Sequence, residues 1–396
     1  MNVEVASNLP YNGAMMRWAR KWRGRTLAEA ADKLGVPAER IAAWEDDKDV
    51  PTVRQARNLA SFYGREFLEF FYDEEPTIVE PKFVPDFRIH RGADDPGKNR
   101  EILEIQRWAE LQRINALELY LDIEEEPPAF PESLHATLKD DVEDVSATAR
   151  DALRFPFARQ KRLTYKERQD FPDFLRRRMD AIGVLVLREN ALPHYGVSGL
   201  CIVQFPLPII VFSAEAPARS AFTLMHEFAH IILRESAISG PERNPVGSGR
   251  EKQVERWCDR FAAAFLVPRE EMLALRPLPE RPAPSIGDDV LSGLARVFRV
   301  SQHAMLIRLV DLKYVSPEYY WGVKRPQFLA EEAKWKSKGI PKLWVSRIWN
   351  KVGLLYTGLV LEALGTGRIQ PHQAQSLLGI PNPNHLTVIR QEFGGA

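Results

Sequence analysis

The sequence predicts a multidomain, mainly α-helical protein with an all-α N-terminal bundle, an α+β unit and a helical, basic C-terminal segment. Its length of 396 residues leaves room for two to four domains. Apolar residues recur at helical spacing through most of the chain. Three short runs rich in β-branched residues occur together near its middle, which predicts one small sheet among the helices.

The composition excludes several classes of protein. Hydrophobic residues make up 45% and charged residues 27%, so a sizeable core is available and wholesale disorder is not expected. The 54 basic and 54 acidic residues balance, so any attraction to nucleic acid must come from a local patch. Two cysteines, no signal peptide and no apolar run of roughly 20 residues predict a cytoplasmic protein without membrane association.

Residues 12–75 predict the N-terminal bundle, because apolar positions recur at helical spacing between turn signals. We expect helices over 13–22, between the N-cap Thr26 and Gly35, in PAERIAAWEDD, after the N-cap Thr52, and in REFLEFFY. Two helices joined by a tight turn containing glycine, inside a bundle of this size, form the helix-turn-helix arrangement.

This segment resembles the phage-repressor (XRE/Cro) type of helix-turn-helix. The landmarks are Ala30, Leu34 to Val36, Ile41, Trp44-Glu45, Pro51-Thr52 and Leu59-Ala60. The resemblance implies DNA contacts from the basic residues Arg17, Arg20, Lys21, Arg23, Arg25 and Arg40. The expected recognition helix departs from a DNA reader, because Ala38 has no hydrogen-bonding group and Glu39 would face phosphates. A protein-recognition or dimerisation role therefore stays open beside DNA binding.

The rest of the chain divides into four further segments. Residues 76–98 hold four prolines and predict a linker, and residues 99–180 are mainly helical. Residues 181–320 carry the strand runs GVLVLRE, GLCIVQF and PIIVFSA, followed by helices over about 217–234 and 250–266. Residues 321–396 hold ten basic and four acidic residues, a net charge of +6, and their role is open.

A metal-binding pattern lies in FTLMHEFAHIIL. His226 and His230 are four residues apart, so on a helix both imidazoles can reach one ion, and Glu227 can meet a water at that ion. The following helix supplies Glu255 as the best third ligand. Asp259, one turn later, can fix the tautomer of a ligand histidine. The alternatives are a solvated helix face for Glu255 and an ordinary ion pair for Asp259.

HExxH followed by ExxxD is similar to the gluzincin metallopeptidases and, more narrowly, to the ImmA/IrrE family. The matching residues are Phe222 to Leu224, the HExxH set, Glu255, Cys258-Asp259, Phe261-Ala262 and Leu266 to Pro268. The resemblance implies a zincin-like metallopeptidase domain over 181–320 that holds zinc, or manganese, through His226, His230 and Glu255. Glu227 is then the general base, and His194, Tyr195 and His303 are candidates for stabilising the oxyanion.

The resemblance further implies a regulatory endopeptidase whose substrate is a transcriptional repressor of a phage or stress regulon. A second hypothesis stays open: a DNA-binding regulator or antitoxin that binds a toxin and uses the peptidase fold for binding or sensing.

Overall fold

The computed structural model describes residues 10–65, 67–74, 96–164, 170–213, 216–239, 249–275, 283–334, 344–380, 382 and 384–394. The chain folds into two compact units, Met1–Lys82 and Phe83–Ala396. No helix in the described ranges is long and apolar enough to cross a bilayer. The five-segment division made from the sequence stays a prediction.

The first unit is a bundle of four α-helices: α1 Gly13–Trp22, α2 Leu27–Leu34, α3 Ala38–Glu45 and α4 Val53–Tyr63. Thr26 and Thr52 form capping boxes at the starts of α2 and α4, as the sequence predicts. Gly35 ends α2 with a φ of 66°. The expected fifth helix is instead a 3₁₀ segment, Phe67–Phe71, since a run this short gains little from α-helical hydrogen bonding.

The second unit contains a four-stranded mixed sheet. Its strands are β1 Leu185–Arg188, β2 Gly199–Ile202, β3 Ile209–Phe212 and β4 Ala237–Ser239, in the order β1-β3-β2-β4. β1 pairs with β3 in parallel, and β2 pairs antiparallel with both β3 and β4. The sequence predicts the first three strands. It does not predict β4, because three residues are too few to show an alternating pattern.

Helices surround this sheet. They are α5 Pro96–Asp122, α6 Val142–Ala152, α7 Phe157–Lys161, α8 Phe171–Asp180, α9 Pro217–Leu233, α10 Gly249–Leu266, α11 Arg269–Leu273, α12 Asp288–Phe298, α13 Gln302–Asp311, α14 Pro317–Tyr319, α15 Arg325–Lys334, α16 Trp344–Gly365, α17 Pro371–Leu378 and α18 Asn384–Gly394. Short 3₁₀ segments span Glu132–Leu134 and Leu192–Tyr195, and a π-helical turn spans Tyr320–Lys324. α5 begins at Pro96, so the end of the expected linker is helical.

The two faces of the sheet belong to different apolar cores. Cys201 and Ile210 point into a core that includes the buried side of α9 and α10. Leu200 and Val211, one residue away, point into a second core formed with α5 and α16. The sheet is therefore the middle layer of three, and α9 is held against one of its faces.

A buried arginine links the C-terminal segment to strand β1 through hydrogen bonds to backbone carbonyls. α16 is interrupted at Gly353, whose φ is 88° and ψ 163°. The buried Arg176 of α8 donates to the carbonyl of Val186 at 2.7 Å and to that of Asn350 at 2.7 Å. Burial raises the pKa of the Asp180 carboxyl to about 6, while Arg176 and the amides of Leu355, Val186 and Leu354 act against the rise.

Candidate metal centre

One buried helix delivers both histidines. Every residue of α9 from Ser220 to Leu233 is buried, and His226 and His230 lie one turn apart on it. The Nε2 atoms of the two imidazoles are 3.2 Å apart, and the ring centroids are 5.0 Å apart. Two ring nitrogens therefore face one point in the interior.

The second helix brings a carboxylate to the same point. Glu255 of α10 places Oε2 3.4 Å from Nε2 of His226 and Oε1 3.1 Å from Nε2 of His230. Within the described ranges, these are the three residues whose ligand atoms all lie within 4.8 Å of one another. The two helices that the sequence singles out thus meet where it expects three donors to converge.

Asp259 fixes the orientation of the first imidazole. Its Oδ1 lies 3.0 Å from Nδ1 of His226. Because an ionised carboxylate only accepts hydrogen bonds, Nδ1 carries a proton and points to Asp259, while Nε2 faces His230 and Glu255. This arrangement is the carboxylate–histidine pairing that is typical of metal sites.

The groups of the site shift the pKa values of Glu255 and His226 strongly. Burial would raise the pKa of the Glu255 carboxyl, but the charge of His226 and the hydrogen bonds from both histidines hold that pKa well below its usual value. Burial would lower the pKa of His226, but the charge of Glu255 and the hydrogen bond to Asp259 raise it well above its usual value. The cluster therefore holds a negative carboxylate and favours a positive charge between its donors.

This donor set fits a divalent cation. Two neutral imidazoles and one carboxylate match the ligands of a catalytic zinc site, which keeps a fourth position open. Two nitrogen lone pairs 3.2 Å apart repel each other unless a proton or a cation lies between them. The same donors accept manganese, so this chemistry does not select one ion.

Glu227 lies beside this cluster and is fully buried. Its carboxylate packs against β2, where a β-carbon built on Gly199 would come within 2.7 Å of Oε1. The Cys201 thiol lies nearby; burial, followed by the charge of Glu227, raises its pKa well above the usual value. Gly199 is not among the site residues that the sequence predicts, although a glycine inside an apolar strand often marks a close approach of another group.

The oxyanion candidates lie in separate places. His194 and Tyr195 belong to the 3₁₀ segment after β1, and Tyr195 packs on the core across the sheet from α9. His303 contacts the hydroxyl of Tyr320 at 3.0 Å and stacks on Phe328 with ring centroids 5.0 Å apart. Since the sheet separates Tyr195 from the side on which α9 lies, Tyr195 is the weakest of the three.

Arg20, one of the basic residues of the helix-turn-helix, stabilises the fold of the bundle. Arg20 is 9% exposed and makes a bidentate ion pair with Glu45, at 2.6 and 2.8 Å. Its remaining nitrogen, Nη1, donates to the carbonyl of Arg25 at 2.8 Å. The phosphate contact expected of Arg20 is therefore replaced by a structural role, because its guanidinium is turned inward between α1 and α3.

The other five basic residues remain at least partly accessible. Arg17 pairs with Asp46, and Arg40 pairs with Asp49 at 3.2 Å. Lys21 is exposed, and Arg23 and Arg25 are half-buried. Arg25 also pairs with Glu29, at 3.3 Å. With Arg20, acidic partners thus neutralise four of the six residues that the sequence assigns to DNA, and Lys21 is the best placed to meet a phosphate.

Two parts of the chain match known families. Residues 179–310 match the family model of the IrrE N-terminal-like domain, a peptidase family designated M78. Residues 16–70 match a helix-turn-helix model. No curated protein matches the chain. These matches confirm the resemblance inferred from the sequence: a helical, XRE-type helix-turn-helix region followed by a peptidase domain with a small sheet.

Proposed function

We propose that this protein is a zinc-dependent regulatory endopeptidase that cleaves a transcriptional repressor and carries a helix-turn-helix for DNA. The observation that supports the proposal best is the convergence of His226, His230 and Glu255 within 4.8 Å on two adjacent helices. The match of this region to a peptidase family supports peptide-bond hydrolysis as the reaction.

The residues of the site have separate roles in this proposal. His226, His230 and Glu255 hold the ion, and Asp259 keeps the His226 imidazole in the tautomer that binds it. When bound, zinc supplies a Lewis acid that polarises a carbonyl and acidifies water. Glu227 takes a proton from the attacking water and delivers it to the nitrogen of the leaving amine. Because the peptide bond is broken by water, no side chain becomes covalently attached to substrate.

The side chains of the site are packed into the interior of the domain, and the choice of substrate rests on the domain architecture. His230 and Glu227 are fully buried, and His226 is 7% exposed. A repressor is the proposed substrate because the peptidase domain shares its chain with a domain of the repressor type.

Replacement of Glu227 by glutamine tests the mechanism. The Glu227→Gln variant keeps the metal ligands, so we expect about one zinc per chain and loss of cleavage of the repressor substrate. His226→Ala should lose both zinc and cleavage. Glu251→Gln, at an exposed position of α10, is the matched control and should behave as the parent. Cleavage at the parental rate by Glu227→Gln would refute the general-base role.

The helix-turn-helix supports a second candidate function, a DNA-binding regulator that uses the peptidase fold as a sensor. In that case promoter binding falls with salt and needs no proteolysis. We expect Lys21→Ala to weaken binding to all DNA sequences and to reduce the slope of log affinity against log salt by about one contact. Promoter binding without cleavage of any repressor would favour this function. The toxin partner stays a prediction from the sequence.

A further inference from the structure

Gly199 lies where strand β2 passes beneath helix α9. It pairs with Phe212 on one side and with Ser239 on the other, so it is inside the sheet rather than at an edge. Cys201, two residues along, points into the core on the α9 face, and strand alternation places position 199 on the same face. Any side chain at position 199 would therefore point at α9.

The Glu227 side chain fills the space at this point. A β-carbon on Gly199 would lie 2.7 Å from Oε1 of Glu227, 2.9 Å from its Cγ and 3.0 Å from Cγ2 of Thr223. Rotation of the carboxylate alone cannot relieve these contacts, because Cγ is as close as the terminal oxygen. The whole Glu227 side chain would have to move, and it is fully buried, so its other sides are also enclosed.

The backbone gives no other reason for a glycine here. Gly199 is absent from the glycines of the described chain that adopt a positive φ, so any residue can take its conformation. Glycine weakens the interior of a strand, where residues with a β-carbon pack better. Glycine at this position therefore makes the strand less stable than a residue with a β-carbon would, and it leaves space for the carboxylate of Glu227.

We propose that Gly199 is a positioning residue that forms the seat of the Glu227 carboxylate and thereby sets where this group meets the substrate. The inference rests on the proposed function, in which Glu227 is the general base. A displacement of a catalytic group by about 1 Å can lower a rate roughly 100-fold. In this proposal Gly199 acts through Glu227, whose side chain a β-carbon at position 199 would displace.

Gly199→Ala tests the catalytic consequence. We expect zinc content near one per chain and an unchanged KM, with kcat about 100-fold lower, because the added methyl displaces Glu227 and leaves the three metal donors in place. Gly293→Ala, in α12 where an added β-carbon meets nothing within 4 Å, is the matched control and should keep the parental kcat. A parental kcat in Gly199→Ala would overturn the proposal.

A second measurement needs no activity, so it separates this inference from the proposed function. In the parent, Gly199→Ala should lower the melting temperature, because the methyl and the carboxylate compete for one space. In a Glu227→Ala background, where that space is vacant, the same change should leave the melting temperature unchanged or raise it.

If Gly199→Ala shifts the melting temperature equally in both backgrounds, Gly199 does not position Glu227. This conclusion holds whether or not the protein cleaves a repressor. If Gly199→Ala alone does not fold, recovery of folding in the double variant supports the proposal, and failure of both variants contradicts it. If the parent cleaves nothing but the effect of Gly199→Ala on the melting temperature still depends on Glu227, the peptidase function is refuted. The inference that Gly199 positions Glu227 is then retained.

Discussion

His226 donates a hydrogen bond from Nδ1 to Asp259 at 3.0 Å, while its Nε2 faces His230 and Glu255. This contact links the two helices of the site through a residue that is not itself a metal donor. It makes the Asp259 carboxylate responsible for the direction in which Nε2 of His226 points.

Removal of that carboxylate should weaken metal binding. We expect Asp259→Ala to lower zinc affinity about 10- to 100-fold, because the His226 imidazole loses the group that fixes its tautomer and orientation. Titration against a competing zinc chelator measures the change. Glu251→Ala removes an exposed carboxylate from the same helix and should leave the affinity unchanged. Equal affinities for the two variants would exclude an orienting role for Asp259.

The buried pair of Arg20 and Glu45 should control the stability of the helix-turn-helix. Arg20→Ala removes the bidentate partner of the Glu45 carboxylate, which is 4% exposed, and leaves it Arg17 at 3.8 Å, so we expect a loss of about 3 kcal/mol. Hydrogen exchange of residues 13–63 in the full chain measures this loss locally. Lys21→Ala changes the adjacent exposed cation and should have no effect on exchange. Unchanged exchange in Arg20→Ala would contradict the structural role.

The interruption of α16 should not tolerate a β-carbon. At Gly353 this atom would lie 3.0 Å from the carbonyl oxygen of Val186, and the φ of 88° is strained for any other residue. We expect Gly353→Ala to cost about 2 kcal/mol of unfolding free energy and to increase proteolysis of the C-terminal segment. Gly365→Ala, with nothing within 4 Å, is the control. The prediction fails if the two variants melt and are digested alike.

Stability should depend on pH through Asp180. Its pKa is about 6 in the fold, against 3.8 as the ordinary value, so between these values the folded protein binds more protons than the unfolded chain. The contribution of this carboxyl is therefore fully present below pH 3.8 and is lost as pH rises through about 6. Asp180→Asn cannot lose a proton and lacks this dependence.

The free energy of unfolding of Asp180→Asn, relative to the parent, should therefore rise by about 2 to 3 kcal/mol between pH 4 and pH 7. Urea denaturation of both proteins across this range measures the difference. The result is independent of other carboxylates, since these titrate alike in the two proteins. A difference that stays constant with pH would show that the fold leaves the pKa of Asp180 at its ordinary value.

Local sequence signals predict the bounds of the helices that form the site and of the capped helices in the N-terminal bundle. The apolar helix that carries His226 was expected over about 217–234, and α9 spans Pro217–Leu233. Thr26 and Thr52 cap the helices for which they were predicted, because a capping box depends only on residues within one turn. These features can be predicted from a single sequence because the residues that produce them lie within a few positions of one another.

Contacts between distant residues were not predictable in this way. Arg20 is one of several similar basic residues in the sequence, and only the packing of α1 on α3 pairs it with Glu45. Likewise, no local pattern joins Arg176 to the carbonyl of Asn350, more than 170 residues later. The docking of the C-terminal segment on the sheet depends on such contacts.

The sequence by itself determined which side chains can bind a metal, because helical spacing places His226 and His230 on one side of α9. Only the tertiary structure decided that Glu255 and Asp259 reach the same imidazole and that Gly199 leaves room for Glu227. The physical reason is that spacing along one helix is set by its own hydrogen bonds, whereas distances between elements are set by how their apolar faces pack.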